Sequence, residues 1–310
     1  MPIQILPEEV ASQIAAGEVV ERPSSVVKEL IENALDASAD QITILVREAG
    51  KRLIEVIDNG AGIPVDELEL AVHRQATSKV RQAEDLFRVS TLGFRGEALA
   101  SIGSVSHLSL SSRVSSADMG GSIRVEGGEI VEVTDLGIPP GTTVRVEHLF
   151  YNVPARLKFL KTDRTEKRHI NTMVSRYSMA NPRVRFKLFQ DDELIFQTSG
   201  SGDLQEAISA VHGVNTAKQM VQVIYEDEFI QIGGFISPPG LTRSNRAEML
   251  FFVNQRPVQD PALSKAVTQA YHTLVMKGRY PITVLFLELP PDKVDVNVHP
   301  TKAEVRFEDK

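Results

Sequence analysis

The chain has no cysteine, which excludes a disulfide scaffold, a thiolate zinc site and a cysteine nucleophile together. It also has no apolar run near the roughly 18 residues that a membrane-crossing helix needs. Met1-Pro2-Ile3-Gln4 lacks the basic-then-apolar order of a signal peptide. An intracellular protein is the simplest fit. Internal repeats and low-complexity tracts are missing too. So are two ligand motifs: there is no G-x-x-x-x-G-K-[ST] phosphate loop, and the seven histidines show no H-E-x-x-H spacing. What remains is an ordinary globular composition, 42% hydrophobic and 24% charged over 310 residues, which is enough for about two domains with proper cores.

Net charge is -7, so the total gives no hint of nucleic acid. The distribution differs. Tyr151 to Gln190 holds ten basic residues, including Arg156, Lys158, Lys161, Arg164, Lys167 and Arg168, against Asp163 and Glu166 alone. A basic segment in an acidic chain reads either as a footprint for phosphates or as a solvated helix followed by a basic strand.

Pro7 to Val20 reads as a capped amphipathic helix, and Ser24 to Asp36 as a second, started by Pro23. At 100° per residue Val26, Val27, Leu30, Ile31 and Ala34 share an apolar arc. Glu29, Glu32, Asn33 and Asp36 lie opposite. Glu29 and Asn33 are four residues apart and project from one side, roughly 6 Å apart along the axis. That pair either activates a water and holds a hard cation, or is a solvated polar stripe.

Residues 42–46 and 53–57 read as a hairpin, 65–74 as a helix, and 105–113, 121–134 and 142–148 as strands. A helix follows at 164–180 and a hairpin at 183–198. Ser199-Gly200-Ser201-Gly202 is the best linker signal. Beyond it come a helix at 203–212, strands at 219–225, 229–236 and 248–253, a helix at 260–276, and strands at 282–289 and 294–298. Hairpins outnumber regular crossovers, which favours an α+β sandwich over a doubly wound sheet.

Asp58-Asn59-Gly60-Ala61-Gly62 ends a strand. It is either a tight turn or a place where Gly60 and Gly62 let a ligand approach the backbone, with Asp58 an acceptor-only side chain suited to an exocyclic amine. It is not G-x-G-x-x-G, because Val65 stands third, nor a calcium loop, because Gly60 and Gly62 replace oxygen ligands. Gly93-Phe94-Arg95-Gly96-Glu97-Ala98-Leu99 puts glycines before a helix start, where free N–H groups can hold an anion, or else forms a flexible entry. Gly141-Thr142-Thr143 opens a later strand.

E-x-x-x-N, D-x-G-x-G, the glycine-rich loop and G-T-T occur in that order. The order resembles the ATP site of the GHKL superfamily, which includes gyrase-type topoisomerases, heat-shock chaperones, histidine kinases and MutL. Gln13 to Pro23, Gly93 to Leu99 and Val294 to Lys302 narrow the resemblance to the MutL family of DNA mismatch repair proteins, and it covers essentially the whole chain.

The resemblance implies a GHKL (Bergerat-type) α/β sandwich over residues 1–200 and a smaller ribosomal S5 domain 2-like transducer domain over 201–310. Family members continue into a C-terminal dimerisation domain, so an N-terminal fragment is expected. The ligands it implies are ATP and Mg²⁺. It makes Glu29 the general base and Asn33 the Mg²⁺ ligand. Asp58 becomes the adenine acceptor, supported by Thr143, with Gly60 and Gly62 in the turn. Thr77, Ser78, Lys79, Gly93, Arg95, Gly96, Glu97, Ala98 and Leu99 become the phosphate lid, and Lys302 reaches the γ-phosphate. The implied activity is weak ATP hydrolysis gating N-terminal dimerisation into a DNA clamp. That clamp would couple a MutS-like mismatch recognition protein to a downstream nuclease and helicase in a bacterial, nucleoid-associated setting. The rivals are a topoisomerase ATPase fragment, which would carry Gln-Thr-Lys where this chain has Pro300-Thr301-Lys302, and a nucleotide-gated scaffold with negligible turnover.

Overall fold

The computed structural model describes residues 16–17, 19–77 and 96–290, together with the strand pairs 294–295 and 306–307. Within it the chain forms two compact units, one of Met1–Val174 with Arg183–Gly200, the other of Ser175–Pro182 with Ser201–Lys310.

The first unit is built on helix α1 (Pro23–Asp36), which proline starts at its first turn after an extended Arg22. Its apolar arc, Val26, Val27, Leu30, Ile31 and Ala34, is buried throughout. The arc rests on strands β1 (Gln41–Arg47) and β2 (Leu53–Asp58). Alternation along β1 sends Ile42, Ile44 and Val46 inward to meet it. Each such side chain contributes about 1.5–3 kcal/mol by leaving water.

After β2 come α2 (Leu68–Ala71), α3 (Ala98–Gly103), β3 (His107–Arg113), β4 (Gly120–Glu126), β5 (Glu129–Leu136) and β6 (Gly141–Glu147). Helices α4 (Pro154–Phe159) and α5 (Asp163–Ala180) lead to the hairpin β7 (Arg185–Gln190) and β8 (Glu193–Gln197). The strands make one eight-stranded sheet in the order β5-β4-β3-β6-β2-β1-β7-β8. Only β1 and β7 run parallel; every other neighbouring pair is antiparallel.

Two expectations need correction here. The run at 121–134 is a hairpin, because Gly127 and Gly128 both take left-handed backbone (φ 60° and 99°) and fold the chain back on itself. The helix expected over 65–74 is a 3-10 turn at Val65–Glu67 followed by the four residues of α2, and Gln75 (φ 60°) lies beyond its end.

In the second unit α6 (Leu204–His212) and α7 (Val214–Gln219) precede β9 (Val221–Glu226), β10 (Gln231–Ile236) and β11 (Thr242–Arg243). Then follow β12 (Met249–Val253), β13 (Arg256–Val258), α8 (Pro261–Ala270), β14 (Tyr280–Pro281), β15 (Thr283–Glu288) and the short strands β16 (Val294–Asp295) and β17 (Arg306–Phe307). The main sheet runs β13-β12-β15-β10-β9. One face packs Leu250, Phe252, Ile282 and Val284 against Ala207, Ile208 and Ala217 of α6 and α7. The other packs Met249, Phe251, Leu285 and Leu287 near Leu263 and Val267 of α8. Apolar residues on both faces explain why β12 reads as an unbroken hydrophobic run rather than an alternating one. Among the described residues no helix is long and apolar enough to cross a membrane.

Candidate active site

Helix α1 carries Glu29 and Asn33 on one side, both half-buried. The site's first unexpected feature is Lys28. Its Nζ donates to Glu29 Oε1 at 2.9 Å and to Glu32 Oε2 at 2.8 Å. Burial works against that ammonium, but the charges and hydrogen bonds of Glu32 and Glu29 outweigh it and hold its pKa above the ordinary lysine value. Glu32 is therefore no solvated residue, as its place opposite the apolar arc suggests; it is 5% exposed. A carboxylate so placed needs a partner, and the i, i+4 spacing puts Lys28 within reach.

Asp58 closes β2 and is half-buried. Its Oδ1 accepts the Gly60 N–H at 2.8 Å. Burial raises its pKa, and the backbone N–H groups of Gly60 and Thr142 oppose the rise without cancelling it. The turn after Asp58 is docked on the end of α1, where the Ala61 N–H donates to the Ala37 carbonyl at 2.9 Å. A side chain at Gly60 would stand 2.7 Å from the same oxygen. That docking brings the helix of Glu29 and Asn33 to the strand tip of Asp58. Gly62 has a left-handed φ of 75°, and a Cβ there would lie 2.2 Å from the Arg113 carbonyl. Both glycines thus answer first to packing within the chain. Asn59 caps the start of β1 by accepting from the N–H groups of Asp40 and Gln41.

The register of β2 against β6 pairs Asp58 with Thr142 and Ile57 with Thr143. Side chains of directly paired residues share a sheet face. Thr142 therefore stands on Asp58's face, and Thr143, the expected partner, on the other. Gly141 makes the approach possible, because a Cβ there would meet the Asp58 carbonyl at 2.1 Å.

Ser112, fully buried on β3, ties the pieces together. Its hydroxyl donates to the Gly141 carbonyl at 2.9 Å, accepts from the Ile63 N–H at 2.8 Å, and lies 2.9 Å from Thr142 Oγ1. One proton and two lone pairs satisfy all three contacts if Thr142 donates. A serine in Ser-Leu-Ser-Ser carries no sequence signal of that role.

Gly96 packs against the Ala76 carbonyl, so Thr77 and Gly96 flank one place in the fold. Glu97 precedes α3, and Ala98 and Leu99 form its half-buried first turn. Ser78, Lys79, Gly93, Arg95 and Lys302 lie outside the described residues.

The basic segment divides. Lys158, Lys161, Arg164 and Arg168 are exposed. Arg156 instead turns inward, its guanidinium 5.8 Å from the Phe150 ring centre and hard against Gly17, and burial pulls its pKa down. Lys167 is ion-paired with Asp191. Neither is the open cation that the charge count implied.

Among the described residues no cluster of three or more histidine or acidic side chains could hold a metal. One hard amide oxygen at Asn33 beside a carboxylate at Glu29 nonetheless fits Mg²⁺, which takes few protein ligands and completes its sphere with phosphate and water.

Comparison with known proteins identifies the family. Residues 18–152 match the family described as histidine kinase-, DNA gyrase B- and HSP90-like ATPase. Residues 208–310 match the C-terminal domain of DNA mismatch repair protein. Fold and site together define a GHKL-type ATPase domain followed by a smaller α/β domain.

The DNA mismatch repair protein MutL of Streptococcus equi subsp. equi is 45% identical over 97% of this chain, which spans 46% of that relative's length. A solved Aquifex aeolicus MutL ATPase domain complexed with ADP superposes with a TM-score of 0.66 at 33% identity, covering 88% of this chain and 94% of that one. The N-terminal domain of a DNA repair protein gives a TM-score of 0.83 at 29% identity, covering 96% and 92%. The chain belongs to the MutL family and carries its N-terminal ATPase region.

Proposed function

We propose that the chain binds and slowly hydrolyses ATP in the space between α1 and the Asp58 turn. The observation that carries this is Asp58: a half-buried, acceptor-only carboxylate at a strand tip, whose turn is docked on the C-terminal end of the helix that carries Glu29 and Asn33. Adenine offers an amino group to such an acceptor. Guanine offers a carbonyl there and is repelled. Thr142, on Asp58's face, supports the base contact in place of Thr143.

Glu29 takes a proton from water as its oxygen attacks the γ-phosphorus, and the bond to the ADP oxygen breaks. Asn33 would hold Mg²⁺, which would supply positive charge to offset that of the phosphates. Thr77, Gly96 and the first turn of α3 border the phosphates, and Ser78, Lys79, Gly93, Arg95 and Lys302 keep the phosphate roles that the family resemblance implies for them. We read the first unit as the ATPase domain and the second as its transducer. Nucleotide binding drives N-terminal dimerisation into a clamp. The clamp couples a MutS-like recognition protein to a nuclease and a helicase, and Lys158, Lys161, Arg164 and Arg168 give it a DNA-facing surface.

Competition of ATP and GTP for a fluorescent ATP analogue tests the base assignment. ATP should displace the probe at least tenfold more effectively in the wild type, and Asp58→Asn should erase the difference. Equal displacement by both nucleotides in the wild type would sink it.

A further inference from the structure

The Glu29 carboxylate is held by a neighbour that helix geometry would not select. Residues i and i+1 do not face each other on a helix, yet Lys28 Nζ reaches across to Glu29 Oε1 at 2.9 Å while also binding Glu32 Oε2 at 2.8 Å. Glu32 is buried and fixed to the helix, so it anchors the ammonium, and the anchored ammonium in turn fixes Glu29. We propose that Lys28 is a positioning residue for hydrolysis: it grips one oxygen of Glu29, with Glu32 as its counterweight, and leaves the other oxygen aimed at the attacking water.

This rests on the reading of Glu29 as the general base. It goes further by assigning the carboxylate's orientation to a salt bridge within α1 rather than to the nucleotide. A simpler role for Lys28 would be to neutralise buried Glu32 and nothing more. The two differ in what happens when both are removed together. If neutralisation is all, Lys28→Met loses activity because it strands the Glu32 charge, and adding Glu32→Gln restores it. If Lys28 positions Glu29, the double variant stays slow, since Glu29 still has no grip.

The experiment measures single-turnover ATP hydrolysis and ATP affinity on the 310-residue chain for Lys28→Met, Lys28→Arg, Lys28→Met with Glu32→Gln, and Glu29→Gln, with melting curves for each. A carboxylate free to swing off line costs about 10- to 100-fold in rate. Lys28→Met should therefore fall by that much in the chemical step while ATP affinity stays within about threefold. Lys28→Arg, which can span both carboxylates, should recover most of the rate. The double variant should melt near the wild type and remain slow. Wild-type turnover in Lys28→Met, or restored turnover in the double variant, overturns the positioning role. If Glu29→Gln itself turns over normally, the base assignment falls and the positioning role falls with it. Loss in Glu29→Gln with normal Lys28→Met leaves the base standing and removes only Lys28.

Discussion

Two polar regions of the first unit look alike in sequence and differ in structure. Helix α1 and the segment from Arg156 to Arg168 both carry charged residues at helical spacing. On α1 the charges are buried or half-buried and bound to one another, with Lys28 between Glu29 and Glu32. In the basic segment the side chains either point to water, as Arg164 and Arg168 do, or have already found a partner, as Lys167 has in Asp191. An exposed ion pair is worth less than about 1 kcal/mol, so the second region gains little stability from its charges. Burial with satisfied bonds marks a place where each group's geometry matters. Exposure marks a place where only the summed field matters.

Glu29→Ala should break the contrast most sharply. Loss of a general base costs about 10²–10⁴ in rate, so steady-state phosphate release should drop below a hundredth while ATP binding persists. Hydrolysis within a few-fold of wild type would contradict the role of Glu29. Asn33→Ala comes next, with at least a tenfold loss of Mg²⁺-dependent ATP affinity by calorimetry; normal affinity in that variant would remove the metal assignment.

Asp58→Asn should weaken ATP by about 10- to 100-fold, the range for a hydrogen bond to a charged group, and at the same time stabilise the fold. The sign follows from burial, which raises the folded pKa of Asp58 above its ordinary 3.8. Below 3.8 the carboxyl is protonated in both states and the variant has no advantage. As pH climbs from there through the raised folded value, the unfolded chain ionises first and the wild type loses stability that asparagine does not. Melting curves from pH 3 to 7 should diverge in the variant's favour as pH rises, and convergence at pH 7 would refute the buried charge.

The basic segment should give the smallest effects. Arg164→Glu with Arg168→Glu should cut DNA affinity by several-fold and flatten its salt dependence. Lys167→Glu, at a lysine already committed to Asp191, should change DNA binding less than Arg164→Glu or Arg168→Glu alone. Equal losses at all three positions in filter binding would show that the ion pair does not matter.

The first helix was readable because its apolar residues recur at the helical period and proline marks its start. The hairpin of β1 and β2, and the place of Asp58 at its strand tip, were readable for similar local reasons. Thr142 was not. Thr142 and Thr143 are chemically identical, and only the pairing of β2 with β6, a long-range fact, decides which one shares a face with Asp58. Ser112 was invisible for the same reason. Whether Glu32 is solvated or structural could not be read, because helical angle says nothing about what else packs on a helix. Gly60 and Gly62 left a tight turn and a ligand approach both open in the sequence, and the structure shows Ala37 and Arg113 already occupying the space.

The parallel pairing of β1 with β7 bears on how the chain is made. Ile42 sits beside Phe186, so β1 must wait for a strand synthesised far later before its second edge is covered. Contacts so distant along the chain close slowly, because the entropy of the intervening loop is lost before the pairing rewards it. The β1–β2 hairpin therefore emerges from the ribosome with both edges open; β6 covers the β2 edge first, and the β1 edge waits longest, for β7. A chain cut short of Arg185 leaves that edge bare, an aggregation hazard, which sets a lower limit on how far the ATPase unit can be trimmed.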